Sequence, residues 1–117
     1  MRLPIKINIK PLSVNDSWKG KRYRTDKYKQ YCKDLGFLLP PLKLPEPPYE
    51  VYLEWGFSSK GSDTGNPEKP TIDIIAKKYG FNDNLIYKEV LVKNIVPKGQ
   101  EYIKFDIKHY KSIINNQ

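Results

Sequence analysis

The chain has 117 residues, with 21 Lys plus Arg against 13 Asp plus Glu, which gives a formal net charge of +8. That length accommodates one domain, residues 1–117, with a modest core that gains from a partner covering apolar surface. The charge favours a polyanionic partner such as nucleic acid or an anionic surface, and Cys32, the single cysteine, excludes an intrachain disulfide and a cysteine-based zinc site.

Charges interrupt every apolar run from Met1 to Ile7, which predicts neither a signal peptide nor a membrane span and points to a reducing, cytoplasmic setting. Leu3, Ile5, Ile7 and Ile9 alternate with Lys6 and Asn8, the period-two pattern of a half-buried strand that Pro11 ends. Next comes a basic and aromatic segment in which Lys19, Lys21, Arg22, Arg24 and Lys27 interleave with Trp18, Tyr23 and Tyr28. Thr25 is placed to cap a helix running to about Leu39, with Tyr28, Cys32, Leu35 and Leu39 as its buried stripe. Five prolines then make residues 40–48 a stiff loop within the domain.

Tyr49, Val51, Leu53, Trp55 and Phe57 face one way and Glu50, Tyr52 and Glu54 the other, the clearest strand in the chain. A polar, Gly-containing loop follows to Asn66, which with Pro67 forms a helix start: Asn caps, and proline sits where its missing N–H costs nothing. The helix is predicted to bury Ile72, Ile75 and Ala76 and to end near Gly80, with Lys77 and Lys78 as favourable charges at its C-terminal end. Residues 86–95 and 102–108 read as two further strands, and Gly99 between them suggests a hairpin. The tail, 110–117, is polar and expected to fray. The order β, α, β, α, β, β predicts an α+β fold, a small mixed sheet packed against two helices.

Chemistry concentrates between Asp63 and Asp83. Lys69 and Asp73 are four apart on one helix and share a face, while Asp83 lies on the turn that returns from that helix to the sheet. If the strands flanking the helix are neighbours, Asp63 and Asp83 approach one another. Clustered carboxylates suit phosphodiester hydrolysis because they hold Mg²⁺ through oxygen, orient water and offset charge in the transition state. Lys69 is placed to balance that charge or grip the scissile phosphate. By spacing alone, three Asp on loops and a helix start more often serve as caps and solvated charges.

The segment resembles the motif of the RusA family of Holliday junction resolvases, Asp-x-Asp-Asn-x-x-Lys with a further Asp four residues on and a later Asp-Asp pair. Asp63, Asn66, Lys69, Asp73 and Asp83 match in that order. Pro11-Leu-Ser-Val-Asn15 and the stretch from Trp18 to Tyr23 look like the family's opening segment and basic loop, so the likeness runs from about Ile5 to Ile107. Two positions depart from it: Gly65 stands where the family has its second carboxylate, and Asn82 where the late pair has its first Asp.

The resemblance implies a RusA-like fold and a homodimer that binds four-way junction DNA and nicks it with Mg²⁺, or with Mn²⁺ in its place. It makes Asp63, Lys69, Asp73 and Asp83 catalytic, with Asp63 and Asp83 on the metal. Glu54, Glu68 or an extra water would fill a reduced ligand set. Asn15, Trp18, Lys19, Lys21, Arg22, Tyr23, Arg24 and Lys27 would contact DNA, the cations on phosphates and an aromatic on exposed bases. The alternative is a junction-binding protein of the same family whose cleavage Gly65 has weakened. His109 reads as an ordinary strand-end residue and Cys32 as core.

Overall fold

The computed structural model describes residues 4–11, 18–19, 23–24, 26–58 and 68–111. In chain order the elements are β1 (Ile5–Ile7), β2 (Trp18–Lys19), β3 (Tyr23–Arg24), α1 (Asp26–Leu38), β4 (Tyr49–Phe57), α2 (Glu68–Tyr79), a 3-10 turn (Asp83–Leu85), β5 (Ile86–Ile95) and β6 (Tyr102–His109). The α+β class with a mixed sheet and two helices is what the periodicities predict. The first strand is shorter than the alternation from Leu3 to Ile9 suggests, and β2 and β3, a small antiparallel pair in the basic segment, were not foreseen.

Four strands form one sheet in the order β1-β6-β4-β5. The expected hairpin between the last two strands is absent. β5 runs parallel to β4 on one side, whereas β6 runs antiparallel to β4 on the other, with Leu53 opposite both Leu91 and Phe105. The connection crosses the end of β4, where the Val96 N–H donates to the Phe57 carbonyl at 2.6 Å. The reason is burial. Tyr102, Ile103, Phe105, Asp106 and Ile107 of β6 are buried, and a strand covered on both faces belongs inside the sheet. β5 carries Lys88, Glu89, Lys93 and Asn94 exposed to solvent, which suits an edge.

Both helices lie on one face of the sheet. The core joins Val51, Leu53, Trp55 and Phe57 of β4 and Ile103, Phe105 and Ile107 of β6 to Tyr31, Leu35 and Leu39 from the α1 side and Ile72, Ile74 and Ile75 of α2. Each such side chain contributes about 1.5–3 kcal/mol on full burial. Tyr31, rather than Tyr28, leads the inner stripe of α1, because its hydroxyl reaches the buried Thr71 hydroxyl of α2 at 3.0 Å. Tyr28 and Cys32 pack at the margin of the core. Tyr110, at the head of the expected tail, is tied down: its N–H donates to the Pro48 carbonyl at 2.8 Å.

The opposite face of the sheet is polar but partly closed. Glu54 is buried there, accepting hydrogen bonds from the hydroxyls of Tyr52 and Tyr102 and from Asn94 Nδ2 at 3.1 Å. The Tyr102 ring lies over Gly56, where a Cβ would run into it, and the Lys6 ammonium sits 4.9 Å from the ring centre.

Candidate active site

The parallel β4–α2–β5 unit positions the site. Chain leaves the sheet after β4, returns along α2 and reverses at Gly80, whose φ of +75° suits glycine. It then runs back beside the helix, so that Asp83 comes level with the helix's first turns. Asn82 caps the 3-10 turn by accepting from the Asn84 N–H at 3.0 Å, which fixes Asp83 in the turn's first position.

Lys69, Asp73 and Asp83 converge. Lys69 Nζ lies 3.2 Å from Asp73 Oδ1 and 3.6 Å from Asp83 Oδ2. The hydrogen bond and charge of Asp73, helped by Asp83, hold the Lys69 ammonium above its ordinary pKa, so it stays charged. β4 and β5 are neighbours, the condition set for Asp63 to approach Asp83. Asp63, Gly65 and Asn66 themselves lie outside the described residues.

Two further carboxylates belong to the patch, and sequence reasoning found only one of them. Glu68, in the first turn of α2, shares a hydrogen bond with Glu89 of β5, which pushes the Glu89 carboxyl up to about 7, with burial and the charges of Glu68 and Asp83 adding to the rise. Two carboxyl groups this close cannot both ionise freely. Glu89 is recognisable in retrospect as an acid on the helix-facing side of a strand, between the apolar positions Ile86 and Leu91. Glu54, the other suggested ligand, is excluded by direction: its partners are all on the far face of the sheet.

The patch therefore joins the Lys69–Asp73–Asp83 ion-pair group to the Glu68–Glu89 pair, which feels the charge of Asp83, in a chain that is basic overall. Exposed ion pairs such as these contribute roughly 0–1 kcal/mol, and the Glu68–Glu89 pair opposes folding where both carboxyls are ionised. Oxygen-only donors suit Mg²⁺. Among the described residues no three His, Cys, Asp or Glu side chains are grouped to hold a metal ion.

Of the suggested DNA contacts, Asn15, Lys21 and Arg22 lie outside the described residues, as do the side chains of Trp18, Lys19, Tyr23, Arg24 and Lys27. Backbone pairing of Trp18 with Arg24 and of Lys19 with Tyr23 brings the two ends of that basic segment together. His109 is structural, its Nδ1 lying 2.8 Å from the Glu46 carbonyl. Among the described residues no helix is long and apolar enough to cross a membrane. No family model matches this chain, and no curated protein matches it significantly.

Proposed function

We propose that this protein is a RusA-like, structure-selective endonuclease that resolves four-way DNA junctions by Mg²⁺-dependent phosphodiester hydrolysis in the cytoplasm, acting as a homodimer. The observation that carries the reading is the meeting of Lys69 and Asp73 with Asp83, fourteen and ten residues away in sequence, in a patch that also holds the Glu68–Glu89 carboxyl pair. Asp63 and Asp83 would hold the metal, with Mn²⁺ able to replace Mg²⁺, and Glu68 or an extra water would complete the ligand set. The bound ion would supply a polarised phosphate and an activated water. Lys69 offsets charge on the scissile phosphate, and Asp73 keeps Lys69 protonated and aimed. Asn15, Trp18, Lys19, Lys21, Arg22, Tyr23, Arg24 and Lys27 form the proposed DNA-contacting segment.

The test is cleavage and gel shift on a four-way junction with and without Mg²⁺. Asp63→Asn and Asp83→Asn each abolish nicking while junction binding persists; full activity in both variants rules this centre out. A second reading, a junction binder with weakened chemistry, is favoured by Gly65, which supplies no carboxylate at that position. Tight junction binding with no nicking in Mg²⁺ or Mn²⁺ supports that reading, as does a large gain in cleavage on Gly65→Asp.

A further inference from the structure

β5 is a ten-residue edge strand that pairs, among the described residues, only with β4. A long edge with exposed apolar side chains is a template for another strand. Five large hydrophobic residues are exposed among those described, and Tyr87, Leu91 and Ile95, three of them, lie on this one strand. Its polar residues are arranged with equal economy. Leu91 lies two residues from Glu89 and two from Lys93, all three on the helix-facing side, while Val90 and Val92 flank it on the other side.

We propose that β5 pairs antiparallel with β5 of a second copy of this chain, about a two-fold axis through Leu91, to form a continuous eight-stranded sheet. The pleat requires that residues directly opposite one another share a face, which restricts the axis to a residue rather than a peptide bond. With the axis at Leu91, Glu89 faces Lys93 of the partner subunit twice by symmetry, Leu91 meets the partner's Leu91, Val90 meets the partner's Val92, and Lys88 meets the partner's Asn94. Moving the axis one residue either way sets Glu89 against a leucine or an isoleucine and loses both charge pairs. Register and partner are thus specified together.

This deepens the dimer of the proposed function by giving it a surface. It also gives each acidic patch a residue from the other protomer, because Glu89, bonded to Glu68, receives the partner's Lys93. Two patches then flank one two-fold axis on one face of the sheet, an arrangement matched to a substrate with two equivalent strands to cut.

Sedimentation and cross-linking of the full chain test the pairing. The protein sediments at twice the 13.7 kDa of one chain. Glu89→Lys alone and Lys93→Glu alone each weaken the dimer about tenfold by setting like charges opposite one another, and the combined reversal restores it. In a Cys32→Ala background, Leu91→Cys forms an intermolecular disulfide with oxidised glutathione, since facing Cα atoms in an antiparallel pair lie about 4.5–5.5 Å apart, within disulfide reach. A monomer at high concentration, a combined reversal no better than the single ones, or no cross-link at position 91 overturns the proposal. A monomer that cleaves junctions would sink this surface and spare the nuclease reading, whereas a cross-linked dimer that never cleaves would do the opposite.

Discussion

Replacing Tyr102 by phenylalanine isolates the hydrogen bond to the buried Glu54 carboxylate. The ring keeps its place over Gly56, so little apolar burial is lost, and only the hydroxyl, bonded to Glu54 and accepting from Asn94 at 2.9 Å, disappears. Glu54 is 8% exposed, so water cannot replace the missing donor. A hydrogen bond to a charged group contributes about 1.5–3 kcal/mol, and that is the expected loss near pH 7. Burial alone would raise the Glu54 pKa, but the bonds from Tyr102 and Tyr52, the Lys104 ammonium and Asn94 outweigh it and hold the group below 4.5. A depressed carboxylate stabilises the fold above its unfolded pKa and loses that contribution as pH falls through its folded value. The Tyr102→Phe deficit should therefore shrink steadily below pH 4.5, toward the smaller difference expected of a neutral pair. Urea unfolding at a series of pH values measures it, with a midpoint shift of roughly 1–2 M near neutrality. A deficit under about 0.5 kcal/mol at pH 7, or one of constant size down to pH 3.5, would refute this account of Glu54.

The same cluster sets an alkaline signature: the hydrogen bond to Glu54, then burial, pushes Tyr52 from 10.0 up to about 12, so stability is lost as pH rises between those values. Tyr102 and Tyr79 are also raised, so ultraviolet titration should show several late phenolates, of which the one near 12 moves back toward 10.0 in Glu54→Gln; an unchanged last step would assign it elsewhere. Tyr31→Phe should cost about 1–3 kcal/mol, because the buried Thr71 hydroxyl loses its partner, and pairing it with Thr71→Val should recover part of that loss in thermal unfolding. Gly56→Ala should cost about 1–3 kcal/mol by driving a methyl into the Tyr102 ring, and much less in a Tyr102→Ala background; equal costs in both would show that the ring is not the obstacle.

Local periodicity made most elements legible. The alternation from Tyr49 to Phe57 reproduces β4 residue for residue, and the four-residue spacing of Lys69 and Asp73 is an ion pair. What stayed hidden depends on distant residues. Both Tyr28 and Tyr31 suit a helical stripe, and only the Thr71 hydroxyl on another helix decides between them. Gly99 does mark a turn, with φ of +93°, but a turn residue does not say whether its strands pair with each other or with a third strand between them. Glu89 was missed for a similar reason, since its importance comes from Glu68, twenty-one residues earlier and on another element. Glu54 was misjudged as a spare ligand because its partners, Asn94 and Tyr102, are 40 and 48 residues away.

The place of β6 governs the order in which the molecule can assemble. It joins β1 to β4, and Ile5 finds its opposite number only in Phe105, a hundred positions further along. A ribosome that has released everything up to β5 has produced α1, β4, α2 and β5 with β1 still unattached. Closing so long a segment carries an entropic cost before any contact rewards it, so β1 docks late and the overall rate is slow for a chain of this size. Until β6 arrives, both long edges of β4 and β5 stand open except for each other, and that interval is when a second nascent copy can capture the wrong edge.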